Sequence, residues 1–119
     1  MPKPSASDHL PLTPVVLHLL LALADGDRHG YAVAQEVERL TEGAVRLGPG
    51  TLYGSIRRLL DAGLIEESTA RVADDGDERR RYYRLRALGR RVLELELARL
   101  ARVVEVARAK RLLRGPEPA

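Results

Sequence analysis

Residues 48–64 read Gly48-Pro49-Gly50-Thr51-Leu52-Tyr53-Gly54-Ser55-Ile56-Arg57-Arg58-Leu59-Leu60-Asp61-Ala62-Gly63-Leu64, and they spell one helix with a sharp beginning and a sharp end. Pro49 fits a first turn, where a missing N–H costs nothing, and Gly63 fits the left-handed position that closes a helix. Leu52, Ile56, Leu59 and Leu60 recur at i, i+4, i+7 and i+8, which predicts one buried stripe. At about 100° per residue, Gly50, Thr51, Gly54, Arg57, Arg58 and Asp61 fall on or near the opposite face. That face begins with almost no side-chain bulk and carries two guanidinium groups one to two turns later. Small residues let a helix N-terminus approach a nucleic acid closely, while arginine reaches phosphates or guanine edges. On this stretch alone, a solvated amphipathic helix with two ordinary arginines is the alternative.

Upstream, Met1 to Leu12 holds three prolines and two serines with no periodicity and predicts a flexible arm. Thr13-Pro14 then starts a helix, a hydroxyl cap followed by proline at the first position. Val15 to Leu23 is apolar almost all round, as in a helix at the centre of a core or shared with a partner. His18 lies within it. His29-Gly30-Tyr31 leads into a second helix, where Val33, Val37 and Leu40 form a thinner stripe. Three compact helices in a row, the third with a small-plus-arginine outer face, make a helix-turn-helix.

Downstream of Gly63, residues 64–72 and 80–85 read as two strands around the polar run 73–78, which completes a winged helix. Residues 86–114 predict one helix of roughly 40 Å at 1.5 Å per residue. Leu93, Leu97, Leu100, Val104 and Ala107 step along it as a heptad-like seam. Val92, Leu95, Val103 and Val106 form a second strip. One strip can cover the domain; a second copy of the chain is the simplest cover for the other. Gly115-Pro116 ends the helix and leaves 115–119 as a disordered tail. The expected organisation is a flexible arm (1–12), a winged-helix domain (13–85), a dimerisation helix (86–114) and that tail, mostly α with a small β-hairpin.

Composition narrows the function classes. The 119 residues suit one domain with a modest core. Aromatics are only 3%, all tyrosine, so the core must be leucine, valine, isoleucine and alanine, which favours helices. The net charge is +3 and the pI 9.7, with Lys3 and Lys110 the only lysines. Without cysteine there is no disulfide framework, thiol catalysis or cysteine metal site. His9, His18 and His29 are scattered, so no metal set or cofactor is expected. Neither a nucleophile–base pair nor a carboxylate pair is visible, which argues against an enzyme. No apolar run is long enough to span a membrane. Val15 to Ala24 imitates a secretory leader, but the prolines, Asp8 and His18 argue for the cytoplasm.

Taken in order, the apolar first helix, His29-Gly30-Tyr31, Gly50-Thr51-Leu52-Tyr53, Arg57-Arg58-Leu59, Gly63-Leu64-Ile65 and Arg81-Tyr82-Tyr83-Arg84-Leu85 followed by Gly89 resemble the PadR-like winged-helix transcriptional regulators. They match the smaller members with one terminal helix. The resemblance implies a DNA-binding homodimer, usually a repressor, whose third helix enters the major groove, whose wing lies along the backbone, and which pairs through the terminal helix with help from the first. Three departures stand out. Gly54 replaces a customary proline, Arg86 replaces a threonine cap, and the wing tip (Asp74, Asp75, Asp77, Glu78) is acidic and repelled by phosphate. With no tryptophan or phenylalanine, the stacking pocket some members use for flat ligands has no counterpart.

Arg79 to Arg91 contains seven arginines and no acid, a group suited to phosphates. The candidate DNA contacts are therefore Tyr31, Gly50, Thr51, Tyr53, Gly54, Ser55, Arg57 and Arg58 on the helices, with Arg71, Arg79, Arg80 and Arg81 on the wing flank. Tyr53 lies at the stripe's edge and suits core packing or a phosphate equally. The candidate dimer residues are Val16, Leu20, Leu93, Leu97, Leu100, Val104 and Ala107. His18 is the polar handle for a small-molecule effector. The expected partners are double-stranded DNA with paired half-sites, a second copy and such an effector. The competing reading is a dimeric winged-helix adaptor that binds protein and never touches DNA.

Overall fold

The computed structural model describes residues 5–68 and 81–114. Four α-helices enclose one core beside a small sheet: α1 (Pro14–Ala22), α2 (Gly30–Leu40), α3 (Pro49–Asp61) and α4 (Ala87–Ala109). The strands are β1 (Arg28–His29), β2 (Ile65–Ser68) and β3 (Tyr82–Leu85), arranged β1-β3-β2 and antiparallel throughout. This is the winged helix-turn-helix expected from the sequence, with one strand more. Arg28 pairs with Tyr83 and His29 with Tyr82. Two residues are too few to show any alternation, so β1 leaves no periodic signal.

Local chemistry sets the helix starts. Thr13 Oγ1 accepts the Val16 N–H at 3.2 Å, with Pro14 next in line. His29 Nδ1 accepts the Ala32 N–H at 3.1 Å and so caps α2 from within β1. α3 and α4 have no capping side chain. Three helices end alike, each with a left-handed residue and a bond spanning six residues. After α3 it is Gly63 (φ 76°), with the Leu64 N–H donating to the Leu59 carbonyl at 3.0 Å. Glu42 (φ 52°) follows α2, and Gly43 N–H donates to Glu38 O at 2.8 Å; Arg111 (φ 62°) follows α4, and Leu112 N–H donates to Ala107 O at 2.8 Å.

The core joins Leu19, Leu20 and Leu23 of α1 to Val33 and Val37 of α2, Leu52, Ile56 and Leu59 of α3, and Val92 and Leu93 of α4. Leu64, Ile65 and Tyr83 close it from the sheet side. Leu40, expected on the buried stripe of α2, is exposed. Two expected dimer residues also need correction. Leu20 is 0% exposed and Leu93 is buried, both within this single chain's core, so neither presents a surface to a second copy. Val16, Leu100, Val104 and Ala107 are half-buried, and Leu97 is exposed.

The N-terminal stretch also differs from expectation. Rather than a flexible arm, residues 5–12 carry a short 3-10 helix (Ala6–His9) whose start is closed by the Ser5 N–H donating to Asp8 Oδ2 at 2.8 Å. Ala6, Leu10 and Leu12 pack against the core, and the Leu12 N–H donates to Glu96 Oε2 of α4 at 2.7 Å. The prolines mask those apolar contacts in the sequence. The long helix stops at Ala109 rather than at 114, because Arg111 adopts the left-handed turn that a glycine more often supplies. At 1.5 Å per residue its 23 residues run about 34 Å.

Beyond its core packing, the start of α4 meets the segment after α3 at one backbone oxygen, that of Leu64. The Arg86 N–H donates to the Leu64 carbonyl at 3.0 Å, and a Cβ on Gly89 would lie 2.0 Å from that same oxygen. Only glycine allows the helix to lie this close.

Candidate nucleic-acid interface

The start of α3 is open on its outer side. Gly48 (φ −70°) and Gly50 need no left-handed freedom, and a Cβ at either would meet nothing within 4 Å. Neither the backbone angles nor the packing calls for glycine there. With no capping side chain, and with proline at the first position, the Gly50 and Thr51 amides face outward at the positive end of the helix dipole. Such a helix start leaves backbone donors and positive potential open to solvent, the chemistry by which helix N-termini receive anions.

Two aromatic rings flank it. Tyr31, at the start of α2, is 63% exposed, and Tyr53, on the first turn of α3, is 51% exposed. The Tyr53 ring lies across the start of α2, where a Cβ on Gly30 would come within 2.8–3.1 Å of its ring and hydroxyl atoms. His29-Gly30-Tyr31 therefore caps α2, makes room for Tyr53 and presents a phenol.

Thr51, Arg57 and Arg58 are exposed, as expected from the helical wheel, and Gly54 is half-buried. Arg57 Nε lies 3.5 Å from the Asp61 carboxylate. Arg58 folds back along α3, with Nη2 donating to Ser55 Oγ at 3.2 Å and Nη1 3.9 Å from where a Gly54 Cβ would stand. The helix runs unbroken through Gly54. Ser55 itself corrects the sequence reading. It is 1% exposed, on the inner side with Leu52, Ile56 and Leu59, and serves as a rest for Arg58 rather than as a contact surface.

On the wing, Arg81 is exposed and its Nη1 donates to Glu67 Oε1 at 3.1 Å, while Arg84 Nε donates to Glu66 Oε1 at 3.4 Å. Arg71, Arg79 and Arg80 lie outside the described residues. His18 is half-buried on α1, and its Nδ1–H donates to the Pro14 carbonyl at 2.8 Å.

Arginines that the sequence reading passed over also shape this region. Arg28 Nε donates to the Ala22 carbonyl at 2.8 Å, and its Nη2 lies 3.4 Å from Asp25 and 3.7 Å from Glu36. It ties the end of α1 to α2. Two Arg39 nitrogens donate to Glu36 at 2.7 Å each, which holds the Glu36 carboxyl below its ordinary range against the opposing effect of burial. Between α2 and α3 opens a cleft of about 360 Å³, lined by the apolar Ala34, Leu47, Pro49 and Leu52 and by Tyr31, Tyr53, Gln35, Glu38 and Arg46. Its lining residues come from three separate stretches, so only the turn at residues 41–47 could have hinted at the grouping. Thr41 Oγ1 shapes that turn by donating to Val37 O at 2.8 Å and accepting the Val45 N–H at 3.0 Å.

Among the described residues, no group of acidic and histidine side chains is placed to hold a metal ion, and no helix is long and apolar enough to cross a membrane. A family model described as the transcriptional regulator PadR-like family matches residues 17–95. A transcriptional regulator of Mycobacterium tuberculosis is 40% identical over 79 residues, 66% of this chain and 68% of its own length. In fold, the chain is similar to a PadR family transcription regulator from Clostridium difficile, with TM-score 0.66 and 24% identity over 82% of this chain and 97% of that one. It is likewise similar to Bacillus subtilis PadR in complex with operator DNA, with TM-score 0.59 and 17% identity over 89% of this chain and 51% of that one. At those identities the structural likeness is one of fold.

Proposed function

The chain belongs to the PadR-like family of transcriptional regulators, and from that premise we propose that it works as a cytoplasmic homodimer that binds operator DNA and represses transcription, without catalysing a reaction. The observation that carries this reading is the start of α3, where two glycines that the fold does not require sit beside uncapped amides and two exposed tyrosines. In this reading α3 enters the major groove. Gly50 and Thr51 approach the backbone, Tyr31 and Tyr53 offer hydroxyls to phosphates, and Arg57 and Arg58 reach base edges. Arg58 exchanges its Ser55 contact for a guanine edge at little expense, since both are hydrogen bonds to the same guanidinium.

The wing arginines act as a backbone clamp. Arg81 gives up an exposed ion pair to Glu67, the kind that contributes only about 0–1 kcal/mol. Arg71, Arg79 and Arg80 extend the clamp from the stretch outside the described residues. The second copy covers α4 from Leu97 onward, where Leu97, Val103 and Val106 are exposed and Leu100, Val104 and Ala107 are half-buried. Val16 of α1 borders the same seam. A small-molecule effector, entering between α1 and α4 near His18, shifts the spacing of the two DNA-binding lobes, because a ligand biases only states that differ in the packing it touches.

The test is affinity for a selected operator and for random duplexes across a salt series. Wild type should bind with a slope set by the phosphates neutralised, and two copies should read half-sites roughly 34–36 Å apart. Arg58→Ala should cost about 1–3 kcal/mol on the operator and relax preference at one position. Arg80→Ala should weaken all duplexes alike and lower the slope by about one. Equal changes in the operator-to-random ratio would undo the division between base reader and clamp. No salt-dependent shift of any duplex would favour the adaptor reading instead.

A further inference from the structure

The α2–α3 cleft holds a cation that the proposed interface does not use. Arg46 is 77% exposed and pairs with the Glu38 carboxylate through Nε at 3.1 Å. Glu38 sits on the face of α2 that carries Tyr31 and Gln35, and all four line the cleft together with Tyr53. The cleft is continuous with the open start of α3, since Pro49, Leu52 and Tyr53 are among its lining residues.

We propose that this cleft seats one phosphate of the duplex backbone, with Arg46 as its cation, and that Glu38 holds DNA affinity down by competing for the same guanidinium. The inference rests on the DNA-binding reading above and adds to it both a contact and a brake.

Three observations carry it. First, Arg46 is held loosely. Arg39 on α2 is held by two hydrogen bonds to Glu36, whereas Arg46 has a single exposed pairing whose worth is small enough for a phosphate to displace it. Second, a cleft that combines four apolar side chains with two phenols, a guanidinium and its competing Glu38 carboxylate suits a sugar–phosphate, with the deoxyribose against the apolar residues and the anion at Arg46. Third, the left-handed turn at Glu42 and Gly43 folds the chain back so that the exposed Arg46 reaches Glu38 of α2. The Glu38 carbonyl anchors that turn by accepting the Gly43 N–H at 2.8 Å, so backbone and side chain of one residue place the cation and restrain it.

The experiment measures operator and random-duplex affinity of the full chain over a salt series for wild type, Arg46→Ala, Arg46→Lys, Glu38→Gln and Arg58→Ala. Arg46→Ala should weaken both duplexes several-fold by the same factor and lower the salt slope by about one per half-site, while Arg46→Lys restores most of the slope. Glu38→Gln should tighten both duplexes several-fold. These side chains are exposed enough that unchanged melting curves are expected, which separates lost contacts from lost fold. If Arg58→Ala weakens the operator while Arg46→Ala and Glu38→Gln change nothing, the cleft proposal is overturned and the DNA-binding reading stands. If wild type binds no duplex, both fall together.

Discussion

At the scale of single residues, two backbone positions make opposite predictions. Gly89 faces the Leu64 carbonyl so closely that a methyl group cannot enter without moving α4. Gly89→Ala should therefore cost about 3 kcal/mol or more, the upper end of overpacking, and appear as a lower urea midpoint. Glu42 occupies a left-handed conformation that disfavours side chains by about 1–2 kcal/mol, partly offset by the entropy glycine loses on folding. Glu42→Gly should raise stability by up to about 1 kcal/mol in the same assay. Gly63 was legible beforehand, because a glycine after an amphipathic stripe has one obvious use. Glu42 and Arg111 were not, since nothing in those residue types marks a left-handed turn. Ser55 was misplaced for a related reason: a small polar residue is equally at home inside a close-packed helix and outside it.

Among the elements, α4 was legible in kind but not in its allegiances. Its apolar steps identified a long helix with two faces, yet the face shared with residues 5–12 depends on Glu96, which no periodicity would place in a core. Glu96 is 1% exposed, with Arg99 Nε donating to it at 2.5 Å and the Leu12 N–H at 2.7 Å. The Arg99 hydrogen bond, followed by the Leu12 amide, holds this carboxyl below its ordinary range although burial acts the other way. A depressed carboxylate contributes stability that is complete above its unfolded value and disappears as pH falls through its folded one. Acidification below about pH 4 should thus loosen the attachment of residues 5–12. Urea midpoints between pH 3 and 7 check it: Glu96→Gln should be less stable than wild type at pH 7, and the two should converge toward pH 3. A gap that widened on acidification would contradict the assignment. α3 was the most legible element, with its start, its stop and three of its four stripe residues as read, while Leu60 is half-buried and Ser55 joins the inner side. The cleft beside it was invisible, because it is made where α2, a turn and α3 meet in space.

For the whole molecule, the exposed apolar half of α4 sets the oligomeric prediction. Ending the chain after Arg102 removes Val103, Val104, Val106 and Ala107 while leaving Val92, Leu93 and the Glu96–Arg99 pair in place. The shortened chain should sediment as a monomer and the full chain as a dimer at micromolar concentration. A full chain that sediments as a monomer would remove α4 from the assembly. The architecture itself was readable because three helices, a hairpin and a terminal helix follow one another with little interruption. What the sequence could not convey was β1, which locks the base of the wing to the start of α2 through two residue pairs.

The contact between Leu64 and Gly89 has a mechanical consequence. Because the same oxygen accepts the Arg86 amide and abuts the bare α-carbon of Gly89, the start of α4 is held tightly against the segment that follows α3. The terminal helix is then a stiff lever of about 34 Å. One degree of tilt along an arm of that length displaces its far end by about 0.6 Å. In the proposed dimer, ångström-scale adjustments where two such levers cross would turn each proposed DNA-binding lobe by a degree or two, which is the angular leverage that Gly89 helps to keep stiff.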